Sequence, residues 1–464
     1  MNWRRPVLRS LFRVYKREVL RELELIESIE RKSPAAVRAV QEERLSRLLL
    51  HAWRHTDYYR EVLEASGAVR DGRVNLDRFE DIPFLTKDII RKQRDRLRAR
   101  ELPEGRKAYW NRSGGSTGAP LEFYQDNLYW ASTIANRTYH FSLAGKQMGD
   151  KELKVWGHEG DLYSGTIGLR ARAENWLYNR RFQQCWHLPE ERIRRIVAEI
   201  NDWQPTLMWC YRDGIDGVAR YINRHNLAVH SPRAIILGGA TVYEFMAQSI
   251  HRAFRAPVLS AYGSRELGAA ACQCLLGKGH HISAQSHVIE AVDEEGRAVW
   301  NRDAELVVTP LQNYAMPFIR YRIGDRGILS QDQCPCGRSF PVLDAITGRV
   351  VEAIYNSRGD QIDSIFFIWI MSEKLDKPRM RKAQIVQEED GSIVLNLVLD
   401  EGTQPDEVMA GLTDVAPRIK AVMGSDCAVQ IAFVDDIPLT SSGKHPYIVS
   451  RRKAEALPSY AKAS

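Results

Sequence analysis

The chain lacks long apolar runs. No segment approaches the roughly eighteen consecutive apolar residues of a membrane-spanning helix, and the longest candidate, Ile365–Met371, has the length of a buried strand or helical segment. The N-terminus also has no apolar stretch long enough for a secretory signal peptide. The sequence therefore predicts no transmembrane segment and a cytoplasmic location.

Internal repeats and low-complexity linkers are missing as well. With 464 residues, the chain exceeds the length that one hydrophobic core usually supports, so we expect two or more domains. Hydrophobic residues make up 44% of the sequence and charged residues 27%, which is the ordinary balance of a globular protein.

Positive charge is concentrated only at the N-terminus. Residues 1–20 hold six basic residues and one acidic residue, a net charge of +5 out of +7 for the whole chain. The rest lacks the basic face that nucleic-acid binding requires, so no nucleic-acid partner is expected. Leu8, Leu11, Phe12, Tyr15 and Val19 share one face of a basic first helix. We expect this face to pack on its own domain; docking on an anionic membrane is the less favoured alternative.

Seven cysteines in a chain of cytosolic character do not predict a disulfide framework. Three are isolated and are expected to be small buried hydrophobic residues. The others form two close pairs with two histidines between them, giving the candidates Cys272, Cys274, His280, His281, Cys334 and Cys336. We favour Cys274, His281, Cys334 and Cys336 as a tetrahedral structural zinc site. The alternative is a set of reduced cysteines without a metal.

Hydrophobic periodicity divides the chain into two parts. Residues 1–65 have the apolar spacing of helices, and Thr86 is placed to cap a helix that begins at Lys87. From about 105 to 330, short β-type runs alternate with helical patterns, which predicts an α/β fold with a mainly parallel sheet. After Gly348 the pattern becomes α+β, with one helix from Asp406 to about Val422. We therefore expect a large N-terminal domain, 1–347, and a small C-terminal domain, 348–464.

A loop of small residues, RSGGSTGAP, occupies positions 112–120. Its backbone N–H groups can close on phosphate oxygens, with the hydroxyls of Ser113, Ser116 and Thr117 as further donors. The loop lacks the Gly-Lys-Ser/Thr ending of a P-loop, so it is not a Walker-type site. Taken alone, it is more often a plain turn.

Two polar segments complete a possible nucleotide site. Tyr262–Glu266 follows an apolar run and is expected at the carboxyl end of a strand, where open α/β sheets bind ligands. There an aromatic ring can stack on adenine, and Glu266 can hold the Mg²⁺ that accompanies nucleotide phosphates. Asp325 follows Gly324 and can grip a ribose diol; the alternative is an ordinary turn aspartate.

Lys444 ends the segment IPLTSSGK, twenty residues before the end of the sequence. A lysine on a loop bounded by proline and glycine is usually a solvated surface charge. Here the three preceding motifs give it a different interpretation, because the four together resemble, in order and spacing, those of enzymes that activate a carboxylic acid with ATP.

Together the motifs resemble the phenylacetate–coenzyme A ligase family, including its capsule-locus branch, within the adenylate-forming superfamily of acyl-CoA synthetases, adenylation domains and luciferases. The resemblance covers nearly the whole chain and includes the GGA segment at 238–240, the CPCGR segment at 334–338 and the ITGR segment at 346–349. It implies AMP-forming activation of a carboxylic acid, followed by thioester formation with coenzyme A. It also implies that ATP, Mg²⁺ and the acid bind in a cleft that a mobile small domain closes.

The resemblance assigns a role to each matching residue. Lys444 is implied to contact the reacting carboxylate and the α-phosphate, and Glu266 to hold Mg²⁺. The implied nucleotide-binding residues are Ser113, Gly114, Gly115, Ser116, Thr117, Gly118, Gly239, Ala240, Tyr262, Gly263, Ser264, Asp325 and Arg349. Family members also carry a zinc-like set of cysteines and a histidine, which matches the set favoured above.

Two departures from the family pattern leave alternatives open. Arg349 is followed by Val350, Val351 and Glu352 instead of an aspartate hinge, so the acceptor is coenzyme A or, alternatively, an amine or hydroxyl, as in cell-surface polysaccharide or natural-product biosynthesis. Residues 156–165 depart from the phenylacetate pattern, so the acid, expected to be aryl or arylalkyl, need not be phenylacetate. A non-catalytic binding protein on this fold is disfavoured by the presence of Lys444, Asp325 and Glu266. A homodimer is possible.

Overall fold

The computed structural model describes residues 2–113, 121–156, 169–185, 188–277, 279–349, 354–358, 361–362, 366–367, 370, 379–439 and 445–452. The chain divides into two compact units, Met1–Ile346 and Thr347–Ser464. This division lies one residue from the domain boundary expected from the sequence.

The first unit begins with helices whose ends are set by local capping. Ser33 accepts a hydrogen bond from the Ala36 amide with Pro34 in the first turn, Thr56 accepts one from Tyr59, and Thr86 caps the helix that starts at Lys87, as the sequence predicts. The helices are α1 (Arg4–Tyr15), α2 (Arg17–Ile29), α3 (Pro34–His55), α4 (Asp57–Ala65) and α5 (Lys87–Leu97). A short hairpin follows α4, with strands β1 (Val69–Arg70) and β2 (Arg73–Val74).

The body of the first unit alternates strands and helices before ending in strands alone. Its elements are β3 (Ala108–Arg112), β4 (Glu122–Asp126), α6 (Asn127–Leu143), β5 (Glu152–Trp156), α7 (Leu169–Tyr178), β6 (Arg180–Gln184), α8 (Glu190–Trp203), β7 (Leu207–Tyr211), α9 (Arg212–His225), β8 (Ala234–Gly238), α10 (Glu244–Phe254), β9 (Val258–Ser264), β10 (Gly268–Gln273), β11 (His280–Ile282), β12 (His287–Val292), β13 (Ala304–Pro310), β14 (Tyr321–Leu329) and β15 (Val342–Arg349).

Eleven of these strands form one sheet, in the order β12-β13-β14-β15-β11-β10-β9-β8-β7-β5-β6. Strands β5 to β9 pair in parallel, as expected, because helices α7 to α10 supply the crossover connections. Beyond β9 the described pairings are antiparallel, since only three residues separate β9 from β10 and six separate β10 from β11. These connections are too short for crossovers, so the sheet is mixed.

The parallel part of the sheet is buried on both faces. Ile235 and Leu237 of β8 pack with apolar residues of α8 and α9, while Ile236 points to the opposite face and packs with residues of α6. Every residue of β8 is therefore buried. A continuous apolar run of this kind is typical of a parallel strand with helices on both sides.

The second unit has the α+β composition predicted from the sequence. Its elements are β16 (Ile354–Tyr355), β17 (Gln361–Ile362), β18 (Met380–Gln387), β19 (Ile393–Leu399), α11 (Asp406–Met409), α12 (Val415–Met423), β20 (Val429–Phe433) and β21 (Ile448–Ser450). Four strands form a sheet in the order β20-β19-β18-β21.

The single helix predicted from Asp406 to about Val422 is wrong. The chain forms α11, a 3-10 turn at Ala410–Leu412, and then α12. Pro417 lies in the first turn of α12, where its missing N–H is tolerated; in the interior of one long helix it would remove a hydrogen bond. Among the described helices, none is both long and apolar enough to cross a membrane.

Candidate active site and cysteine–histidine cluster

Three parallel strands bring candidate nucleotide-binding residues to one edge of the sheet. Strands β7, β8 and β9 run in the same direction, so Tyr211, Gly238 and Ser264 lie at the same carboxyl edge. Gly239 follows β8 with φ +91°, and a Cβ atom on it would lie 2.5 Å from the Tyr211 ring. Both facts restrict this position to glycine. The half-buried Ala240 comes next.

Tyr262 and Asp325 meet although 63 residues separate them. The Tyr262 hydroxyl lies 3.0 Å from Asp325 Oδ2 and can donate a hydrogen bond to it. Tyr262 is buried near the end of β9, and Asp325 is half-buried on β14. The structure thus joins the aromatic residue expected near adenine and the carboxylate expected on the ribose.

The turn that carries Glu266 is fixed by backbone geometry. A Cβ atom on Gly263 would lie 2.1 Å from the Gly268 carbonyl oxygen, so only glycine permits the close approach of β9 and β10. The Ser264 hydroxyl oxygen accepts hydrogen bonds from the amides of Glu266 and Leu267, each at 3.2 Å. Glu266 is half-buried, and its carboxylate is an oxygen ligand of the kind that Mg²⁺ prefers.

Side chains from other elements also hold this turn. The Arg265 carbonyl accepts hydrogen bonds from Gln125 at 2.7 Å and from the Tyr129 hydroxyl at 3.2 Å. The Leu267 carbonyl lies 2.7 Å from Nε2 of the buried His287. Burial raises the pKa of Tyr129 well above its usual value, and Tyr109 and the nearby Glu266 carboxylate raise it further, so its hydroxyl keeps the proton that it donates. Sequence analysis missed these three supporting residues.

The Gly/Ser loop connects β3 and β4. Ser113 closes its base: its amide donates to the Leu121 carbonyl, and its hydroxyl oxygen accepts from the Leu121 amide, both at 2.8 Å. Arg265 donates to the Arg112 carbonyl at 3.3 Å, which ties this base to the Glu266 turn. The other predicted loop residues, Gly114, Gly115, Ser116, Thr117 and Gly118, lie outside the described residues.

Of two further predicted residues, one has only its backbone described and the other lies outside the described residues. Arg349 is the last residue of β15, and only its backbone is described. Lys444 lies outside the described residues, which stop at Leu439 in this motif and resume at His445.

The favoured cysteines and histidine converge in the first unit. The possible ligand atoms of Cys274, His281, Cys334 and Cys336 all lie within 4.8 Å of one another. The sulfurs of Cys274 and Cys334 are 3.7 Å apart, and Cys336 Sγ is 3.3 Å from His281 Nε2. Two thiolates on one tetrahedral zinc, each bonded at ~2.3 Å, would be separated by about 3.8 Å, so the residues fit that metal.

Strand geometry separates these four residues from the other two candidates. His280 and His281 are neighbours on β11 and therefore point to opposite faces; His280 Nδ1 lies 3.2 Å from the Leu343 carbonyl oxygen. Cys272 is fully buried within β10, whereas Cys274 follows the end of that strand. Cys272 and His280 are not part of the cluster.

Surrounding groups favour the metal-binding protonation state at two of the four residues, whereas at Cys334 burial raises the pKa of the thiol to about 12. Burial, reinforced by the charge of Arg338, lowers the pKa of His281 to about 4, so its imidazole is neutral. Burial opposes ionisation of Cys336, but hydrogen bonds from Arg338 and from the thiols of Cys334 and Cys274 together outweigh it and lower the pKa of that thiol. Arg338 also donates to Glu30 at 2.8 Å, and the Tyr139 hydroxyl donates to the same carboxylate oxygen. The cluster is thereby anchored to the end of α2 and to α6.

Comparisons with known proteins point to the same relatives as the sequence motifs. Residues 354–451 match the family model described as the CapK C-terminal domain. The chain is 22% identical over 422 residues to Protein CapK of Staphylococcus aureus, covering 89% of each. It is 23% identical over 442 residues to the phenylacetate-coenzyme A ligase of Thermus thermophilus, covering 90% of this chain and 97% of the relative.

The fold comparison agrees. A crystal structure of 2-hydroxyisobutyryl-CoA ligase in the postadenylation state matches with a TM-score of 0.72, covering 92% of each chain at 18% sequence identity. The predicted resemblance to the phenylacetate–coenzyme A ligase-like proteins is confirmed, and so is the fold class, an α/β large unit followed by a small α+β unit.

Proposed function

We propose that the protein is an AMP-forming ligase that activates a carboxylic acid with ATP and then forms a thioester with coenzyme A. The observation that carries this proposal is the hydrogen bond between Tyr262 and Asp325, close to the turn that fixes Glu266. Similarity to phenylacetate-coenzyme A ligases over about nine-tenths of the chain supports it.

ATP would bind along the carboxyl edge of β8 and β9. The Asp325 carboxylate can accept hydrogen bonds from both ribose hydroxyls, and the resemblance assigns Arg349 to the ribose as well. Tyr262, Gly239 and Ala240 would contact adenine, and the loop that Ser113 closes would hold the departing pyrophosphate. Mg²⁺, held by Glu266, would supply positive charge to the phosphate oxygens.

The chemistry follows from the poor reactivity of a carboxylate. The acid lacks a good leaving group, so one of its oxygens attacks the α-phosphorus of ATP, an O–P bond forms, and pyrophosphate departs with the electrons of the broken P–O bond. Negative charge builds on the phosphate oxygens in this step. The Lys444 ammonium would stabilise that charge through a preorganised contact. A thiolate then attacks the acyl carbon and displaces AMP.

The names of the relatives and the residues around Arg349 suggest which acceptor and which acid the protein uses. Coenzyme A is the acceptor that the ligase relatives name. The CapK-type C-terminal match and the absence of an aspartate after Arg349 favour testing amine and hydroxyl acceptors beside it. We propose an aryl or arylalkyl acid, and zinc in the cluster of Cys274, His281, Cys334 and Cys336 as a structural ion. We further propose that the protein acts in the cytoplasm, and a homodimer remains a prediction.

A screen of carboxylic acids for pyrophosphate release tests the function directly. Purified protein is incubated with ATP, Mg²⁺ and individual aryl, arylalkyl and short aliphatic acids, first without an acceptor and then with coenzyme A or amines. We expect acid-dependent pyrophosphate release with an acyl-adenylate as the product when no acceptor is present. With coenzyme A we expect a thioester and one AMP for each pyrophosphate. ATP binding without release for any acid would instead indicate a binding protein on this fold.

A further inference from the structure

Helix α1 buries one face in the large unit and leaves a different face in solvent. Leu8 and Phe12 are buried in the core that includes α6. The apolar face expected from the sequence is therefore largely covered by the protein's own core, and that face is not free to dock elsewhere. Tyr15, expected on the same face, is an exception, with 79% of its surface exposed.

The solvent face of α1 carries two parallel strips. Trp3, Val7 and Val14 are exposed and recur at helical spacing, which places them on one side of the helix. Arg5, Arg9 and Arg13 follow one another at intervals of four residues and form a cationic strip on the other edge of the solvent face, roughly 140° around the helix from the apolar strip. The helix contains no acidic residue, although Arg9 pairs with Glu27 of α2 at 3.0 Å.

Helix α7 and the start of α6 extend this face. The rings of Trp3 and Trp176 are 5.9 Å apart, and the Arg4 guanidinium lies 4.7 Å from the first ring and 5.4 Å from the second. The Lys16 ammonium lies 5.9 Å from the ring of Trp130. We call the exposed apolar residues of this area, together with Tyr15 at the C-terminal end of α1, the aromatic face: Trp3, Val7, Val14, Tyr15, Trp130 and Trp176.

Exposed apolar side chains are clustered on the aromatic face, whereas elsewhere in the described part of the chain they are more scattered. Twelve large hydrophobic side chains are exposed in the described part of the chain, and six of them lie on this face. Clustered exposed apolar groups on a globular protein mark an interaction surface, whereas scattered ones require no explanation.

We propose that the aromatic face docks on an anionic phospholipid bilayer. Tryptophan and tyrosine favour the membrane–water interface, because their rings are apolar and their polar edges stay hydrated. Arg4 and Lys16, which contact the aromatic rings, and the arginines on the other edge of the solvent face are attracted to anionic headgroups. A helix that exposes an apolar strip and a cationic strip lies flat in that interface. The docked protein is bound at the surface and does not span the bilayer.

The charge of the face decides against other occupants. A second copy of the chain, related by two-fold symmetry, would place the arginine strips of both copies in one interface, where their like charges repel. The phosphates of a nucleic acid would contact the arginines, but the exposed apolar side chains would add little to that binding. An anionic bilayer complements both strips at once.

Vesicle sedimentation of the full-length protein tests the proposal. We expect the fraction bound to vesicles with equal parts phosphatidylglycerol and phosphatidylcholine to exceed that bound to pure phosphatidylcholine by about tenfold or more, and to fall in high salt. Trp3→Ser combined with Tyr15→Ser, and separately Arg5→Glu combined with Arg13→Glu, should each lower binding about tenfold.

A matched control separates docking from general stickiness. Trp300 is 47% exposed, against 50% for Trp3, and lies between β12 and β13, so Trp300→Ser should bind vesicles like the unmodified protein. If the Trp3 variant unfolds, Trp176→Ser, at a position with 63% exposure, replaces it. Equal binding to both kinds of vesicle overturns the proposal, and so does a loss of vesicle binding in Trp300→Ser as large as that in the aromatic-face variants. So does self-association without lipid that the Trp3 variant abolishes, or duplex-DNA binding that only the arginine variants lose.

Discussion

Lys444 has the most specific chemical role proposed for any single residue here. Its ammonium is assigned to the oxygens that gain negative charge during adenylation. Removing one such preorganised donor costs about 10²–10³-fold in rate, so Lys444→Ala should nearly abolish acid-dependent pyrophosphate release. ATP binding and the reaction of a preformed acyl-adenylate with its acceptor should survive, because neither needs this charge.

Comparison with Lys420 makes the Lys444 experiment specific. Lys420 is an exposed lysine of α12 in the same unit, so Lys420→Ala removes the same charge without entering the proposed chemistry. Its rate of pyrophosphate release should equal that of the unmodified protein. A Lys444 variant that adenylates normally and fails only at transfer would contradict the assigned role.

His51 gives the large unit a stability that depends on pH. It is buried between the rings of His55 and Tyr314, and burial lowers its pKa to about 4 despite a 3.0 Å hydrogen bond to the Tyr314 carbonyl. In the unfolded chain the pKa is about 6.5, so the unfolded state binds the extra proton between these values. The free energy of unfolding must therefore fall as the pH drops from about 6.5 towards 4, by up to about 1.4 kcal/mol per pH unit for this one group.

Chemical denaturation at a series of pH values measures this slope. Buried His140, whose pKa burial lowers to about 3, adds to the loss in the same direction. His51→Gln keeps a donor for the Tyr314 carbonyl but cannot titrate. Between about pH 4.5 and 6.5, the pH dependence of its unfolding free energy should therefore be weaker, by an amount equivalent to up to one bound proton. His225→Gln changes an exposed imidazole and serves as the control. An unchanged slope in the His51 variant would refute the assignment.

At the scale of elements, the cysteine–histidine cluster joins two connections between neighbouring strands of the sheet, β10, β11, β15 and β14. Cys274 and His281 lie on either side of the β10–β11 connection, and Cys334 and Cys336 lie between β14 and β15. Zinc bound here would link the β10–β11 connection to the β14–β15 connection. Structural zinc can contribute on the order of 10 kcal/mol to folding. We expect about one zinc per chain, and a lower unfolding temperature of the large unit after chelation.

Cys272 supplies the matched control for zinc. Cys336→Ser should lose the metal and much of the stability that depends on it. Cys272→Ser makes the same thiol-to-hydroxyl change at a fully buried position outside the cluster, so it should destabilise the protein while zinc is retained. Less than about half an equivalent of zinc in freshly purified, unmodified protein would count against the site.

Local patterns predicted the elements, whereas side-chain partners depended on the tertiary fold. The apolar runs at β8, β9 and β13 were visible in the sequence, and so was the cap at Thr86. The sequence favoured Cys274 and His281, and the fold supplies the reasons. Alternation along β11 turns His280 to the other face, and Cys272 lies within β10 while Cys274 follows its end. Gln125, Tyr129 and His287 support the Glu266 turn from up to 140 residues away, and no local motif marks them.

At the scale of the whole molecule, the two units separate the proposed tasks. The residues assigned to ATP and zinc lie mainly in Met1–Ile346, while Arg349 and Lys444 belong to Thr347–Ser464. The sequence indicated this division through its change from alternating β and α patterns to an α+β pattern. It did not reveal that the large sheet would continue past β9 with antiparallel strands, because that depends on the short connections β9–β10 and β10–β11 folding back so that consecutive strands pair.

Truncation at this division tests the separation of tasks. A protein ending at Ile346 should fold with its zinc and bind ATP, because Tyr262, Asp325, Glu266 and the cysteine–histidine cluster are all retained. It should release no pyrophosphate, because Lys444 is missing, and its defect should be at least as large as the ~10²–10³-fold loss expected for full-length Lys444→Ala. Calorimetric ATP binding and zinc content establish that the shortened chain is folded. Acid-dependent pyrophosphate release by that chain would show that adenylation needs nothing from the second unit, and the role proposed for its lysine would then have to be abandoned.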